Sequence, residues 1–283
     1  MNRTTLLAAF ALAVAAPAVS AQQQYGREGN TWRWDGRVEN GRWMHIFNVN
    51  GSVQFGPSSD NMVHVVAEKR STGRGEDDIH YEVVQENGNV TICAIWNDNS
   101  RCEDGGYESI RRNNENNRNN TNVKFTVLVP KGLRVGANSV NGPVTVRDVG
   151  AEVRARTVNG GVKVRNASGR VRANSVNGAV DVNTAVGPVS AETVNGNVEA
   201  RMTSLQGMDP MDFKTVNGSV TIIVPAVFDA DFRFDTVHGG IDSDFPMTLT
   251  GKFGPRHARG KIGSGGRDIR ASAVNGSIEL RKQ

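Results

Sequence analysis

Two cysteines, five histidines and a cluster of arginines are the residues in this 283-residue chain that could do chemistry. Cys93 and Cys102 are the only thiols, too few for a four-cysteine zinc site or a disulfide-dense scaffold. They flank a polar stretch containing Asn97-Asp98-Asn99-Ser100, and the spacing suits a disulfide across a hairpin. A catalytic or metal-binding thiol would need a neighbouring His or Cys, and the nearest imidazole in sequence is His80. In an oxidising compartment a bridge would stabilise the chain by ~2–3 kcal/mol through loop entropy.

The histidines stand at 45, 64, 80, 238 and 257, with no His-Glu-x-x-His spacing and no His-Cys pairing. Gly263-Ser264-Gly265-Gly266 is glycine-rich but leads into a strand pattern at 267–271, so it does not make a nucleotide cradle. Arg154, Arg156 and Arg172 share one exposed strand face and make a patch able to bind polyanions. Asp181 and Glu199 fall on the other face. A polysaccharide lyase or hydrolase would need a carboxylate pair or a base on one face. No such constellation forms, so the sequence predicts no enzyme, no catalytic residue, no metal and no cofactor.

These side chains are carried by a repeat. Ser/Thr-Val-Asn-Gly occurs at 139–142, 157–160, 175–178, 193–196 and 215–218, with variants at 236–239 and 273–276. The first four copies are spaced by 18 residues, and the later steps are 22, 21 and 37. Before each corner the inward set reads Val135/Ala137/Ser139, Val153/Ala155/Thr157, Val171/Ala173/Ser175 and Val189/Ala191/Thr193. After it come Val144/Val146, Val162/Val164, Val180/Val182 and Val198/Ala200. Strict alternation of β-branched residues predicts strands with one buried face. Register-true repetition predicts an all-β, parallel β-helix or solenoid, right-handed, each coil stacked on the one before. Asn141, Asn159, Asn177, Asn195, Asn217, His238 and Asn275 then form a corner column. That column is read as structural, with asparagine and glycine supplying the positive φ of the turn.

Around the repeat, residues 1–21 read as a cleaved signal peptide: Arg3, a 14-residue apolar stretch from Leu6 to Val19, and small residues ahead of Gln22. That places the mature chain in the periplasm, at the cell surface or outside the cell. Residues 22–39 read as an N-terminal lead-in and cap, disordered over 22–31, with Trp32, Trp34 and Trp43 covering the open end of the coil. Residues 40–129 read as irregular rungs of the same kind, interrupted by the Cys93–Cys102 hairpin and an Asn-rich loop at 111–122. Residues 130–283 read as the regular solenoid. A net charge of +4 is too small to argue for nucleic acid.

The run Val129-Pro130-Lys131-Gly132, the iterated Val-Asn-Gly-x-Val, Val224-Pro225 and the closing 273–280 together resemble bacterial exported β-strand-repeat proteins of the "putative adhesin" family, a domain of unknown function. The resemblance spans residues 40–283 and implies a single-chain solenoid without catalytic residues. The expectation is a non-enzymatic surface or periplasmic adhesin-like or scaffold module, whose partners are cell-surface glycan, envelope polymer or protein. The alternative is a polysaccharide lyase or hydrolase, or a polyanion-binding protein.

Overall fold

A computed structural model describes residues 24–71, 79–96, 100–109, 121–249 and 256–283. The expected signal peptide and most of the Asn-rich loop lie outside them. Among the described residues there is no helix: twenty-six strands form two twelve-stranded sheets and one two-stranded ribbon. Among the described residues no helix is therefore long and apolar enough to cross a membrane, which says nothing about a β-barrel.

Each repeat places one strand in each sheet. Val135, Val153, Val171 and Val189 lie in register on neighbouring parallel strands of the second sheet. Val144, Val162, Val180 and Val198 do the same in the first. The two inward faces meet in one continuous apolar core of Val, Ala, Ile and Phe. The signature valines of the Val-Asn-Gly motif are not in it: Val140, Val158, Val176 and Val194 are exposed, at 37–39 %. Parity requires this, since they lie one residue from the buried Ser or Thr.

The corner chemistry differs in detail from the sequence expectation. No corner asparagine has positive φ; the glycine after it has, at 155–159° from Gly142 to Gly276. A Cβ on Gly160 would stand 2.4 Å from the Gly142 carbonyl oxygen, so close stacking of rung on rung selects glycine. Positive φ in a side-chain-bearing residue occurs instead at the opposite turns, at Asp148 and Asn166. These two are joined there by an amide-to-carboxylate hydrogen bond of 2.9 Å.

Three larger corrections concern topology. The coils do not all stack in chain order. Strand Asp268–Asn275 lies between Met211–Asn217 and Ala230–His238. Its partner Ile278–Lys282 lies between Val220–Val224 and Ile241–Ser243. The 37-residue step makes this possible: His257–Ile262 folds back antiparallel beside Ala230–His238, with Thr248–Leu249 antiparallel on its far side, and the chain re-enters the gap that was left.

Second, residues 40–129 are only partly rungs. Trp43–Asn50 and Val53–Pro57 continue the two parallel stacks, as does Asn89–Ile95. Thr121–Val129 runs parallel to Val53–Pro57, but Val63–Ser71 and His80–Glu86 run antiparallel to their neighbours. Third, the lead-in expected to be disordered over 22–31 contains strand Gln24–Glu28, which with Thr31–Gly36 extends the first sheet antiparallel. Trp32 and Trp34 point into the core there, with Trp32 stacked on Tyr81 at 4.8 Å.

Candidate functional site

Strand Trp43–Asn50 is held between Arg134–Asn141 and Asn89–Ile95. Alternation buries Met44 and Ile46 in the core and turns Trp43, His45 and Phe47 to the outer face of the second sheet. Strand pairing puts His45 directly opposite Gly136. A Cβ on Gly136 would stand 1.9 Å from His45 Nδ1, so this glycine makes the space in which the imidazole lies.

The other side of the imidazole is covered by the ribbon Ser100–Glu103/Gly106–Ser109. Its turn residue Gly105 faces His45 Nε2 and donates its N–H to Thr91 Oγ1 at 2.9 Å. Cys93 and Cys102 form a disulfide with a Cα–Cα distance of 5.8 Å. The bridge does not close a hairpin. Asn89–Ile95 pairs with His80–Glu86 and Trp43–Asn50, whereas Ser100–Glu103 pairs with Gly106–Ser109. The disulfide therefore anchors a separate ribbon on the outer face. Asn89 Nδ2 donating to Asp104 at 3.1 Å and Cys102 N–H donating to Glu82 at 3.1 Å add to that anchorage.

His45 is 8 % exposed, and its Nδ1 is shut off from solvent without a hydrogen-bond partner. Burial is the main reason its pKa falls to about 4; the Asp104 carboxylate opposes that shift and the Arg154 charge adds to it. The ring is neutral at ordinary pH. It stacks on Trp43 at 5.0 Å, and the Arg154 guanidinium lies 4.1 Å from the Trp43 ring centre.

Beside this cluster opens a groove of about 330 Å³ whose lining includes Asn138, Arg154, Arg156, Arg172 and Asn174. The structure thus brings together the three arginines singled out in the sequence. Arg154 has a carboxylate neighbour, Glu152, at 3.2 Å. Among the described residues, Arg156 and Arg172 have no carboxylate within 4.0 Å. Asp181 and Glu199 do not join them. They are neighbours on the first sheet, where Arg165 donates to Asp181 at 2.7 Å.

The corner column is a ladder of side-chain amides. Asn141 donates to Asn50, Asn159 to Asn141, Asn177 to Asn159, Asn195 to Asn177, Asn217 to Asn195 and Asn275 to Asn217, each at 2.7–2.8 Å. Asn50 begins it, a member the column expected from sequence lacks. His238 is in register beyond Asn275 but makes no imidazole hydrogen bond among the described residues. Behind it runs a second ladder: Ser139, Thr157, Ser175, Thr193, Thr215 and Thr236 each donate to a glycine carbonyl of the adjoining rung at 2.8 Å.

As site residues, His45, Phe47, Gly136 and the Gly105 turn escaped sequence reading, and Trp43, expected to cap the open end of the coil, lies instead on the outer face of a strand within the second sheet. Their signal was available in the aromatic parity of Trp43-x-His45-x-Phe47, which sets all three opposite Met44 and Ile46. No group of three or more His, Cys, Asp or Glu placed to hold a metal ion occurs among the described residues.

Known proteins complete the picture. No curated protein matches the sequence. A solved structure described as a "putative cell adhesion protein" from Clostridium sporogenes is 10% identical, with 89% of this chain and 99% of that chain covered and a TM-score of 0.37. A "putative adhesin" from Bacteroides fragilis is 11% identical, with coverages of 90% and 98% and a TM-score of 0.41. The family model described as Toastrack DUF4097 matches residues 52–281. This chain belongs to the Toastrack DUF4097 family.

Proposed function

We propose that the protein is an exported, non-enzymatic, adhesin-like binding module that holds an anionic polymer at the groove of Arg154, Arg156 and Arg172. The observation that carries the reading is Arg156 and Arg172 exposed on adjoining strands of a groove without carboxylate partners. Guanidinium groups so placed give charge-assisted, bidentate contacts to carboxylate or sulfate. The neutral, enclosed His45 and the Trp43 ring make a rigid wall beside them.

No chemical step belongs to this reading. The imidazole lining the groove has its pKa lowered to about 4 by burial, which makes it a weak base toward a bound sugar. The coil is proposed to be right-handed, by the general rule for parallel crossovers. The export proposal rests on the signal-like residues 1–21.

The test is calorimetric titration of the purified protein with polygalacturonate, heparin and neutral dextran. Binding is expected for the two acidic polymers, weakening with added salt, and for neither after Arg156→Ala with Arg172→Ala. Equal binding of dextran, or none of any polymer, overturns the reading. Unsaturated uronate products absorbing in the ultraviolet would replace it with a lyase.

A further inference from the structure

We propose that one acidic polysaccharide chain lies across the strands of this face, along the stacking axis, held by a second arginine cluster beyond the first. The proposal rests on the binding reading above and adds a direction, a length and a second contact. Strand register defines a lateral row on the outer face of the second sheet: Arg154, Arg172, Ser190, Asp212, Arg270, Arg233 and Arg259. Arginine occupies five of these seven positions, and all five side chains are exposed.

The far cluster has its own groove of about 300 Å³, whose charged lining is Arg233, Arg259, Lys261 and Arg270 with Asp231 and Asp268. Like charges directly opposite on adjacent strands are unfavourable unless an anion is shared between them. Carboxylates flank the row and meet part of its charge: Arg154 pairs with Glu152 and Arg270 with Asp268, while Arg172 and Arg233 have no carboxylate within 4.0 Å among the described residues. Asp231 accepts the Gly266 N–H at 2.7 Å, Asp268 lies 3.3 Å from Arg270, and Asp235 lies 2.9 Å from His257. Within the row itself the one carboxylate is Asp212.

Direction follows from this placement. A ligand lying along a strand meets Arg154 with Arg156, or Arg233 alone; only one crossing the strands meets both clusters. Six strand spacings separate Val153–Asn159 from His257–Ile262, roughly 29 Å at ~4.8 Å each. Two contacts on one chain add by effective concentration, so affinity should rise with length once that span is reached.

Oligogalacturonates of graded length test this, with affinity read by calorimetry. Oligomers spanning ~29 Å should bind at least about tenfold tighter than a trimer. Arg233→Ala with Arg270→Ala should bring the long oligomers down to the trimer's affinity and leave the trimer unchanged. Arg233→Gln alone, which keeps the side chain's length, gives the same test should the double variant misfold. Asp212→Asn should strengthen long-oligomer binding only. Long oligomers that bind these variants as they bind wild type, while Arg156→Ala with Arg172→Ala weakens them, refute the axial lane and leave the groove standing. Absence of binding at any length refutes the groove itself. Oligothymidylate of equal charge binding as tightly overturns the polysaccharide class.

Discussion

Two histidines have their pKa values shifted in opposite directions, one because it is buried and the other because it lies part-buried between carboxylates. His45 has a folded-state pKa of about 4 against 6.5 in an unfolded chain. Its contribution to stability is complete above pH 6.5 and is lost as pH falls toward 4, worth about 3 kcal/mol for a shift of that size. His64 is raised, first by its hydrogen bond to Asp35 at 2.5 Å and further by Asp60. Its contribution is present below pH 6.5 and is lost as pH rises through the raised value. Thermal melts across pH should therefore show an acid-side loss that His45→Phe abolishes and a neutral-side loss that His64→Gln abolishes. NMR titration in which the His45 ring protonates near 6.5 would contradict the burial argument. Gly136→Ala should cost ~1–3 kcal/mol, because the new methyl takes the place of the imidazole. Of the candidate site, the arginines were legible from parity within one repeat. The His45 pocket was not, because its wall comes from strands in contact across some 92 residues of chain.

At the scale of the element, the repeat motif encodes two faces at once. Val171 is fully buried and Val176 is 39 % exposed, although both recur with the same period. Val176→Lys should change stability by no more than ~0.5 kcal/mol, whereas Val171→Lys should abolish folding. Denaturant titration with circular dichroism reads both, and equal effects would mean that the register is misassigned. The strands, their inward sets and the corner positions could all be read from alternation. The antiparallel edges could not, since His80–Glu86 and Thr31–Gly36 lack the motif and alternation is identical for parallel and antiparallel pairing. The ribbon was equally hidden, because spacing between cysteines gives the loop length but not the partner of each strand. Cys93→Ser with Cys102→Ser should cost roughly 2–3 kcal/mol. It should also free the Gly105 turn, so that the His45 pKa moves up toward its ordinary value. An unchanged His45 titration in that variant would show that the ribbon is held without the bridge.

For the whole molecule, the amide ladder and the buried hydroxyl ladder tie every rung to the next with side chains as well as backbone. Asn177→Ala removes two amide bonds in mid-column and should cost ~1–2 kcal/mol. Asn275→Ala, with one such bond, should cost about half as much in the same unfolding assay. The family, the strand repeat and the solenoid-like stack were expected from sequence; the order of the last coils was not, because identical units carry no label saying which neighbour each should take.

That order has a kinetic meaning. The pair of strands around Asn275 arrives after Ala230–His238 yet must slot beneath it, so vectorial assembly from one end cannot finish by simple addition. Either the berth is kept vacant until residues 268–282 emerge, or a neighbour already docked must let go to admit them. A chain synthesised or threaded through a pore in sequence would thus remain unlatched until its late segment is delivered, and protease resistance should appear abruptly at that moment rather than coil by coil.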